Sequence, residues 1–207
     1  MTKVLNFSRL PQAALLAAAL AATTLLGACA PLVVGGAMVG GAMSYTDRRT
    51  SGAQVEDEAI ELKAINRIGA VTAGHVNVTS YNRSALLTGE VPTDAERLAV
   101  DKTVGQIENV RSTANELVVG FNSSIASRGS DVILTSKVKA RYIDAQDLQS
   151  NAIKVVAERG TVYLMGRVTE REAGRATDLA RGVGGVVKVV RLFELISEAE
   201  LSKLQPK

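Results

Sequence analysis

One stretch decides the fold of this 207-residue chain: Thr161-Val162-Tyr163-Leu164-Met165-Gly166-Arg167-Val168, followed at once by Thr169-Glu170-Arg171-Glu172. The first part is rich in β-branched and apolar side chains, which predicts a short strand. Thr169 with Glu172 three residues later forms a capping box, which predicts that a helix begins there. The chain therefore passes from a strand directly into a helix.

The neighbouring residues complete a small α+β unit. Upstream, Asp131 is the predicted N-cap of a helix. The apolar face of that helix carries Leu134, Val138, Tyr142 and Ala145. The predicted order of elements in this unit is helix, strand, strand, helix, strand.

The remaining elements of the unit follow from local signals. Residues 153–157 predict a strand, and Glu158-Arg159-Gly160 predicts a hairpin that joins it to the strand at 161–168. The Gly-rich run 181–185 ends the second helix, and residues 186–196 predict the last strand.

The chain repeats itself. A shift of 77 residues places identical residue types on each other: Val78 on Val155, Leu87 on Leu164, Gly89 on Gly166, Val91 on Val168, Ala99 on Ala176, Asp101 on Asp178, Gly105 on Gly182 and Val110 on Val187. Further upstream the shift becomes 74 and pairs Arg67 with Arg141. A repeat of this length predicts two copies of one small domain, because a solenoid needs at least about three stacked units.

The first copy carries the same series of signals. A helix is predicted from about Glu56, strands at 76–81 and 85–91, a helix from Thr93, and a strand at 110–119. Residues 121–130 are predicted to be an interdomain linker, and residues 198–207 a polar C-terminal tail.

These residues resemble the BON domain, a small αββαβ module of bacterial envelope proteins. Three features carry the resemblance. Gly89 and Gly166 lie at the ends of strands, and Gly105 and Gly182 end helices. Residues 186–190 form a Val-rich last strand. The resemblance implies an α+β chain with two tandem BON domains, at 55–120 and 131–197. In each domain a small mixed three-stranded sheet would pack on two helices.

The N-terminus has the pattern of a bacterial lipoprotein signal. Lys3 and Arg9 precede an apolar run at 13–26, within the roughly 7–15 residues of a secretory signal core. Leu26-Gly27-Ala28-Cys29 then forms a lipobox, which predicts cleavage after residue 28 and lipidation of Cys29. The residue after the Cys is Ala30 and not Asp, and in this respect the chain resembles lipoproteins that are sorted to the outer membrane. Residues 29–54 are predicted to be a flexible tether.

Composition excludes several classes. Without the signal, the net charge of +3 falls to +1, which argues against a general nucleic-acid binder because such domains are strongly basic. A single Cys allows no disulfide framework within the chain. Trp is absent and aromatic residues make up 3%, so the cores must be built from small aliphatic side chains.

The two copies differ in charge. Residues 56–119 hold six Lys and Arg against ten Asp and Glu, whereas residues 131–196 hold eleven against eight. Only the second copy should be attracted to an anionic surface.

The helix predicted at 131–143 also has a second stripe opposite its core face, formed by Ile133, Ser136, Ala140 and Ile143 and flanked by Lys137 and Lys139. An apolar stripe bordered by lysines is typical of helices that lie in a membrane interface.

The resemblance implies a function for this helix. It implies binding of anionic phospholipids, such as phosphatidylglycerol and cardiolipin, in the inner leaflet of the outer membrane, through a site that also includes Arg141. It further implies a role in outer-membrane integrity and enrichment at the division site. Family members carry Trp where Ile133 stands, and Ile lacks the interfacial preference of an indole ring.

Two alternatives remain open at this stage. The stripe could pack against the other copy or the linker instead of lipid. The protein could instead be a periplasmic protein-interaction module that assists an outer-membrane protein assembly machine, through the same helix or through the sheet face of the first copy.

Catalytic patterns are missing from the sequence. His75 is the only histidine and is expected at the surface, and Cys29 is expected to carry lipid, which excludes Cys-His, Ser-His-Asp and His-based metal sites. The glycines at 182–185 end a helix instead of opening one, so they do not form a phosphate loop. We expect no catalytic residue, no metal and no cofactor, and therefore no enzyme.

Overall fold

The computed structural model describes residues 47–204. The predicted signal peptide, the lipidation site Cys29 and most of the predicted tether lie outside these residues. Within residues 47–204, no helix is both long and apolar enough to cross a membrane.

The elements alternate as the repeat predicts. In chain order they are α1 (Ser51–Ile68), β1 (His75–Tyr81), β2 (Ser84–Val91), α2 (Asp94–Gly105), β3 (Ser112–Asn115), β4 (Val118–Val119), α3 (Ile125–Asp144), β5 (Ile153–Glu158), β6 (Thr161–Val168), α4 (Glu170–Arg181), β7 (Lys188–Leu195) and α5 (Glu198–Leu204).

Each copy has its own small mixed sheet, which confirms the predicted α+β fold. In the first sheet β2 is central, antiparallel to β1 and parallel to β3 and β4. In the second, β6 is central, antiparallel to β5 and parallel to β7. The strand predicted at 110–119 is split into β3 and β4, because the Asn115 side chain accepts a hydrogen bond from the Leu117 N–H at 3.2 Å and Leu117 turns into the core.

A buried aspartate fixes the hairpin of each copy. Asp57 accepts hydrogen bonds from the backbone N–H groups of Asn82 and Arg83, both at 2.7 Å. The equivalent Asp131 accepts from the N–H groups of Arg159 and Gly160 at 2.9 and 3.0 Å. All four hairpin residues have positive φ, so each carboxylate stabilises a turn that few side chains favour.

Asp131 is therefore not an N-cap, and the prediction that a helix begins there is wrong. Helix α3 begins at Ile125, where the Ser124 side chain accepts a hydrogen bond from the Ser127 N–H at 3.1 Å. The helix thus takes up half of the predicted linker at 121–130. The predicted polar tail is also partly structured, because α5 buries Leu201.

The strand-end glycines permit close approach of two strands. A Cβ atom at Gly89 would lie 2.0 Å from the carbonyl oxygen of His75, and one at Gly166 would lie 2.5 Å from that of Ala152. Both distances are far below van der Waals contact. Glycine is therefore required at the same position of the two repeats.

The two sheets pack face to face. One face of β2 places Ala85, Leu87 and Val91 against the helices of its own copy, and the opposite face buries Leu86 against the other sheet. The apolar centre of this contact, called here the seam, consists of Tyr81, Leu86, Tyr163 and Met165. The sheet face of the first copy is therefore covered, which leaves it unavailable to a protein partner.

The segment before α1 joins both copies. The guanidinium of Arg48 donates two hydrogen bonds of 2.7 Å to the carboxylate of Glu172 in the second copy. Arg49 donates to Asp57 in the first copy at 2.7 Å, and its guanidinium lies 4.4 Å from the centre of the Tyr81 ring. We call these contacts the clasp. The prediction that the tether extends to residue 54 is wrong, because ordered contacts begin with the clasp and α1 begins at Ser51.

The clasp should contribute strongly to stability. The Arg48 and Glu172 side chains are only 8% and 6% exposed, so Arg48→Ala would leave an uncompensated buried carboxylate. We expect this change to lower the free energy of unfolding by about 3 kcal/mol, as for other buried pairs that lose one partner. Urea denaturation measures the loss. Arg111→Ala is the control, because Arg111 is exposed and forms no ion pair among the described residues.

The effect of Arg48 should depend on pH. Burial alone would raise the pKa of Glu172, but hydrogen bonds from Arg48 and from the Thr169 N–H outweigh it and lower this pKa. A lowered pKa in the folded state stabilises the protein above the unfolded pKa of about 4.3, and this contribution is lost as the pH falls through the folded pKa. The difference between wild type and Arg48→Ala should therefore be constant at neutral pH and shrink in acid. A difference that stays constant down to acid pH would contradict this assignment.

Candidate membrane-binding surface

Helix α3 lies on the outside of the second copy. Its core face packs Leu134, Val138 and Tyr142 into the domain. The predicted site residues all lie on the solvent side and are exposed: Ile133, Ser136, Lys137, Lys139, Ala140, Arg141 and Ile143. Ile133 is 57% exposed and Ile143 is 71% exposed. The alternative that this stripe packs against the other copy or the linker is therefore wrong for the described residues.

The exposed stripe is longer than the sequence predicts. Because α3 begins at Ile125, the stripe also includes Ile125, Gly129 and Val132 at helical spacing. Ile125 is 87% exposed and Val132 is 68% exposed, and Phe121, which is 97% exposed, precedes the helix. A helix of 20 residues is about 30 Å long, so the surface runs along one side of the whole domain. Phe121, Ile125 and Gly129 fall in the segment predicted to be linker, whereas Val132 lies in the predicted helix but outside the predicted stripe.

Cations border the stripe on both sides. At 3.6 residues per turn, Lys137 and Arg141 lie along one edge, and Arg128 and Lys139 along the other. Within residues 47–204, no carboxylate forms an ion pair with any of these four side chains. Lys137, Lys139 and Arg141 are exposed, so their charges are free to meet an anionic ligand, whereas Arg128 is half-buried and donates to the carbonyl oxygen of Ser123 at 3.0 Å. One acidic residue, the exposed Asp144, lies at the end of the helix.

Helix α1 of the first copy is a natural comparison. It also exposes apolar side chains, since Val55, Leu62 and Ile65 are 67%, 63% and 65% exposed. An exposed apolar surface therefore does not by itself distinguish α3 from α1. The charges differ as predicted, although several acids of α1 are neutralised: Glu56 by Arg83, Asp57 by Arg49, and Glu61 by Lys154. The contrast lies in the number of unpaired cations: among the described residues, α1 has Arg67 alone, whereas α3 has Lys137, Lys139 and Arg141.

Two shallow clefts open beside α3. A cleft of about 420 Å³ lies along the edge that carries Lys137, next to Arg159. The other, about 340 Å³, is lined by Lys139 and Ile143 together with Asp47 and Arg49 of the clasp. Each cleft is lined by a lysine of α3 and by an arginine that already has an acidic partner, since Arg159 pairs with Glu90 and Arg49 pairs with Asp47 and Asp57. The second cleft also places the chain entry at residue 47 beside the end of the helix.

A second group of side chains was not predicted at all. His75, Glu90 and Glu158 place their ligand atoms within 4.8 Å of one another at the edge of the seam. Burial is the main reason that the pKa of Glu158 is raised, and the charges of Glu90 and Asp131 raise it further. Since these residues are distant in sequence and come from both copies, no local motif could have indicated the group. The expectation that His75 lies at the surface is only partly right, because its side chain is 21% exposed.

Comparison with known proteins agrees with the fold. The family model described as BON domain matches residues 56–120 and 130–196. The chain belongs to the BON-domain family. Its two matches correspond to the two sheets and their helices, and we refer to them as the first and second BON domains.

Similar proteins occur in several bacteria. The chain is 35% identical over 185 residues to the outer membrane lipoprotein DolP of Haemophilus influenzae, covering 87% of this chain and 95% of that protein. It is 27% identical to the 21 kDa hemolysin of Actinobacillus pleuropneumoniae, covering 72% and 79% of the two chains. It is 28% identical to the osmotically-inducible protein Y of Escherichia coli, covering 65% and 70%. A solved structure of the C-terminal domain of CdsD from Chlamydia trachomatis matches with a TM-score of 0.29 and 9% identity, covering 66% of this chain and 96% of that one.

Adjacent residues of α3 should respond in opposite ways to truncation. Leu134 is 6% exposed, so Leu134→Ala should lower the free energy of unfolding by about 2–5 kcal/mol. Ile133→Ala should change it by no more than about 0.5 kcal/mol, because this side chain faces solvent. Urea denaturation of both variants measures the difference. Equal losses would mean that the stripe is packed against protein.

Proposed function

We propose that this protein is an outer-membrane lipoprotein that binds anionic phospholipid through α3 of its second BON domain. The observation that carries the proposal is the exposed apolar stripe of α3 with unpaired cations along both edges. Lipidation at Cys29 attaches the chain to the inner leaflet of the outer membrane, facing the periplasm. Binding by α3 then supports the integrity of that membrane, including at the division site.

The anchor is supported by sequence. Leu26-Gly27-Ala28-Cys29 follows an apolar run with basic residues before it, and the similar protein of Haemophilus influenzae is described as an outer membrane lipoprotein. Seventeen residues lie between Cys29 and Asp47. Fully extended, they span about 60 Å at roughly 3.3–3.6 Å per residue. This reach is ample for α3 to meet the membrane in which Cys29 is anchored.

The energetics favour an anionic surface. Each basic side chain near such a membrane contributes about 1 kcal/mol, and three unpaired cations lie within a short part of α3 at Lys137, Lys139 and Arg141. Apolar side chains such as Ile133 and Ile143 add burial among the acyl chains. The lipid anchor already holds the protein on the membrane, so binding by α3 selects where in the membrane plane the protein resides.

A protein partner is the second candidate. The same exposed stripe could fit an apolar groove of an outer-membrane protein assembly machine. The sheet face of the first BON domain does not support this candidate, because it packs against the second domain in the seam. A vesicle experiment without other proteins separates the two.

The chain contains no Trp, which makes Ile133→Trp a clean fluorescent probe. We expect the lipidated full-length variant to show a blue-shifted indole emission in phosphatidylglycerol vesicles and quenching by brominated acyl chains, but little of either in phosphatidylcholine vesicles. Adding Lys137→Gln and Lys139→Gln should make the binding free energy of α3 to the vesicle surface less favourable by about 2 kcal/mol. The binding constant should fall roughly thirtyfold.

Leu62→Trp is the matched control. Leu62 is 63% exposed on α1, the corresponding helix of the first BON domain, but lacks the border of unpaired cations. Its emission should stay that of a solvated indole in both kinds of vesicle. If Ile133→Trp remains solvated in every vesicle, the lipid site is wrong and a protein partner is favoured.

Cys29→Ala tests the anchor separately. Because the thiol is the acceptor of the lipid, this variant should not incorporate radiolabelled palmitate in cells. Its envelope fraction should also lack the processed form that begins at residue 29. Normal labelling of Cys29→Ala would contradict the assignment of the lipobox.

A further inference from the structure

A histidine and two glutamates meet where the two BON domains join. His75 comes from β1, Glu90 from β2 and Glu158 from β5. One nitrogen of His75 and one oxygen of each carboxylate lie within 4.8 Å of one another. Glu90 is fully buried and Glu158 is 7% exposed. The Nδ1 atom of His75 is shielded from solvent and has no hydrogen-bond partner among the described residues.

The negative charge of Glu158 is poorly compensated. Glu90 has the partly exposed Arg159 at 3.3 Å and the Nδ1 atom of His75 at 3.7 Å, whereas Glu158 forms no ion pair among the described residues. Within residues 47–204, Glu158 accepts a side-chain hydrogen bond only from the uncharged amide of Asn77, at 3.0 Å. Buried carboxylates are costly without a partner of opposite charge, and the Asp131 carboxylate nearby adds further repulsion. The arrangement therefore lacks positive charge at its centre.

Although the sequence alone predicts no His-based metal site, we propose that His75, Glu90 and Glu158 bind one divalent transition-metal ion of the zinc class between the two BON domains. One imidazole nitrogen and two carboxylate oxygens form a donor set that suits Zn²⁺, with bond lengths of about 2.0–2.2 Å. Such bonds place the ligand atoms of a tetrahedral site about 3.5 Å apart. Side-chain rotations that bring the ligand atoms roughly 1 Å closer together would therefore complete the site. A groove of about 360 Å³ lined by His75 and Glu158 gives access and room for water as the fourth ligand.

Neighbouring groups orient the ligands. The N–H and hydroxyl of Ser123 both donate to Glu90 at 3.2 Å, and Asn77 holds Glu158. The backbone N–H of His75 donates to the side chain of Asn122 at 3.0 Å. Such outer contacts fix the direction of ligand atoms before a metal arrives.

The fold itself does not require these residues. The repeat places Ala152 of the second domain at the position of His75, and Arg167 at the position of Glu90. The position of Glu158 is occupied in the first domain by Tyr81, which contributes to the seam. Two repeats of the same fold thus form the same hairpins with and without this donor set. Since the three ligands come from both domains, a bound ion would cross-link them.

Zinc titration of the full-length protein tests the site. After removal of metal with a chelator, we expect isothermal titration with Zn²⁺ in detergent to give one site per chain and a raised unfolding temperature. Co²⁺ should give visible d–d bands of a low-coordinate nitrogen and oxygen site. His75→Gln and Glu158→Gln should each weaken Zn²⁺ binding at least tenfold and abolish the Co²⁺ bands.

Glu108→Gln is the matched control, because Glu108 is 78% exposed and distant in sequence from the ligands. It should bind Zn²⁺ like wild type. The unfolding temperature of each variant without metal is measured first, and if Glu158→Gln does not fold, His75→Gln decides. The proposal is overturned if wild type binds no Zn²⁺, if several weak sites appear, or if the folded ligand variants bind as wild type does.

Discussion

The packing of the two sheets against each other is the constraint on which the rest of the structure depends. Each BON domain has one central strand, and both faces of that strand are buried, one against its own helices and one in the seam. A small sheet with an exposed apolar face would be prone to association and aggregation in water. By covering each other, the two sheets remove that exposure, and the helices are left as the outer surface. The exposed position of α3 is therefore a consequence of the seam.

The buried aspartates make this packing precise. Asp57 and Asp131 each fix a hairpin whose residues have positive φ, and these hairpins carry side chains that cross between the domains. Arg159 reaches Glu90 from one hairpin, and Asn82 reaches Glu194 at 2.5 Å from the other. The hydrogen bonds from the hairpin N–H groups to the buried aspartate therefore determine both the turn within a domain and the polar contacts at the edge of the seam.

Much of the fold follows from the sequence because it is encoded locally. The capping box at Thr169 and the glycines at 89 and 166 act over a few residues, and the repeat doubles each signal. The role of Asp131 could not be predicted, because an N-cap and a buried hairpin acceptor both need a carboxylate that accepts backbone N–H groups. Only the turn at Arg159, which is distant in sequence, distinguishes the two roles. The seam, the clasp and the group around His75 could not be predicted, since each depends on how one copy docks on the other.

The clasp changes what the lipid anchor can do. If residues 47–54 were a flexible tether, the two BON domains could each adopt any orientation to the membrane. Instead Arg48 is bound to the second domain and Arg49 to the first, so the chain enters the folded part at one fixed point. That point lines the same cleft as Lys139 and Ile143. On the proposed function, an anchor that pulls at residue 47 would draw the end of α3 towards the membrane, and the two membrane contacts would support each other as linked binding sites do.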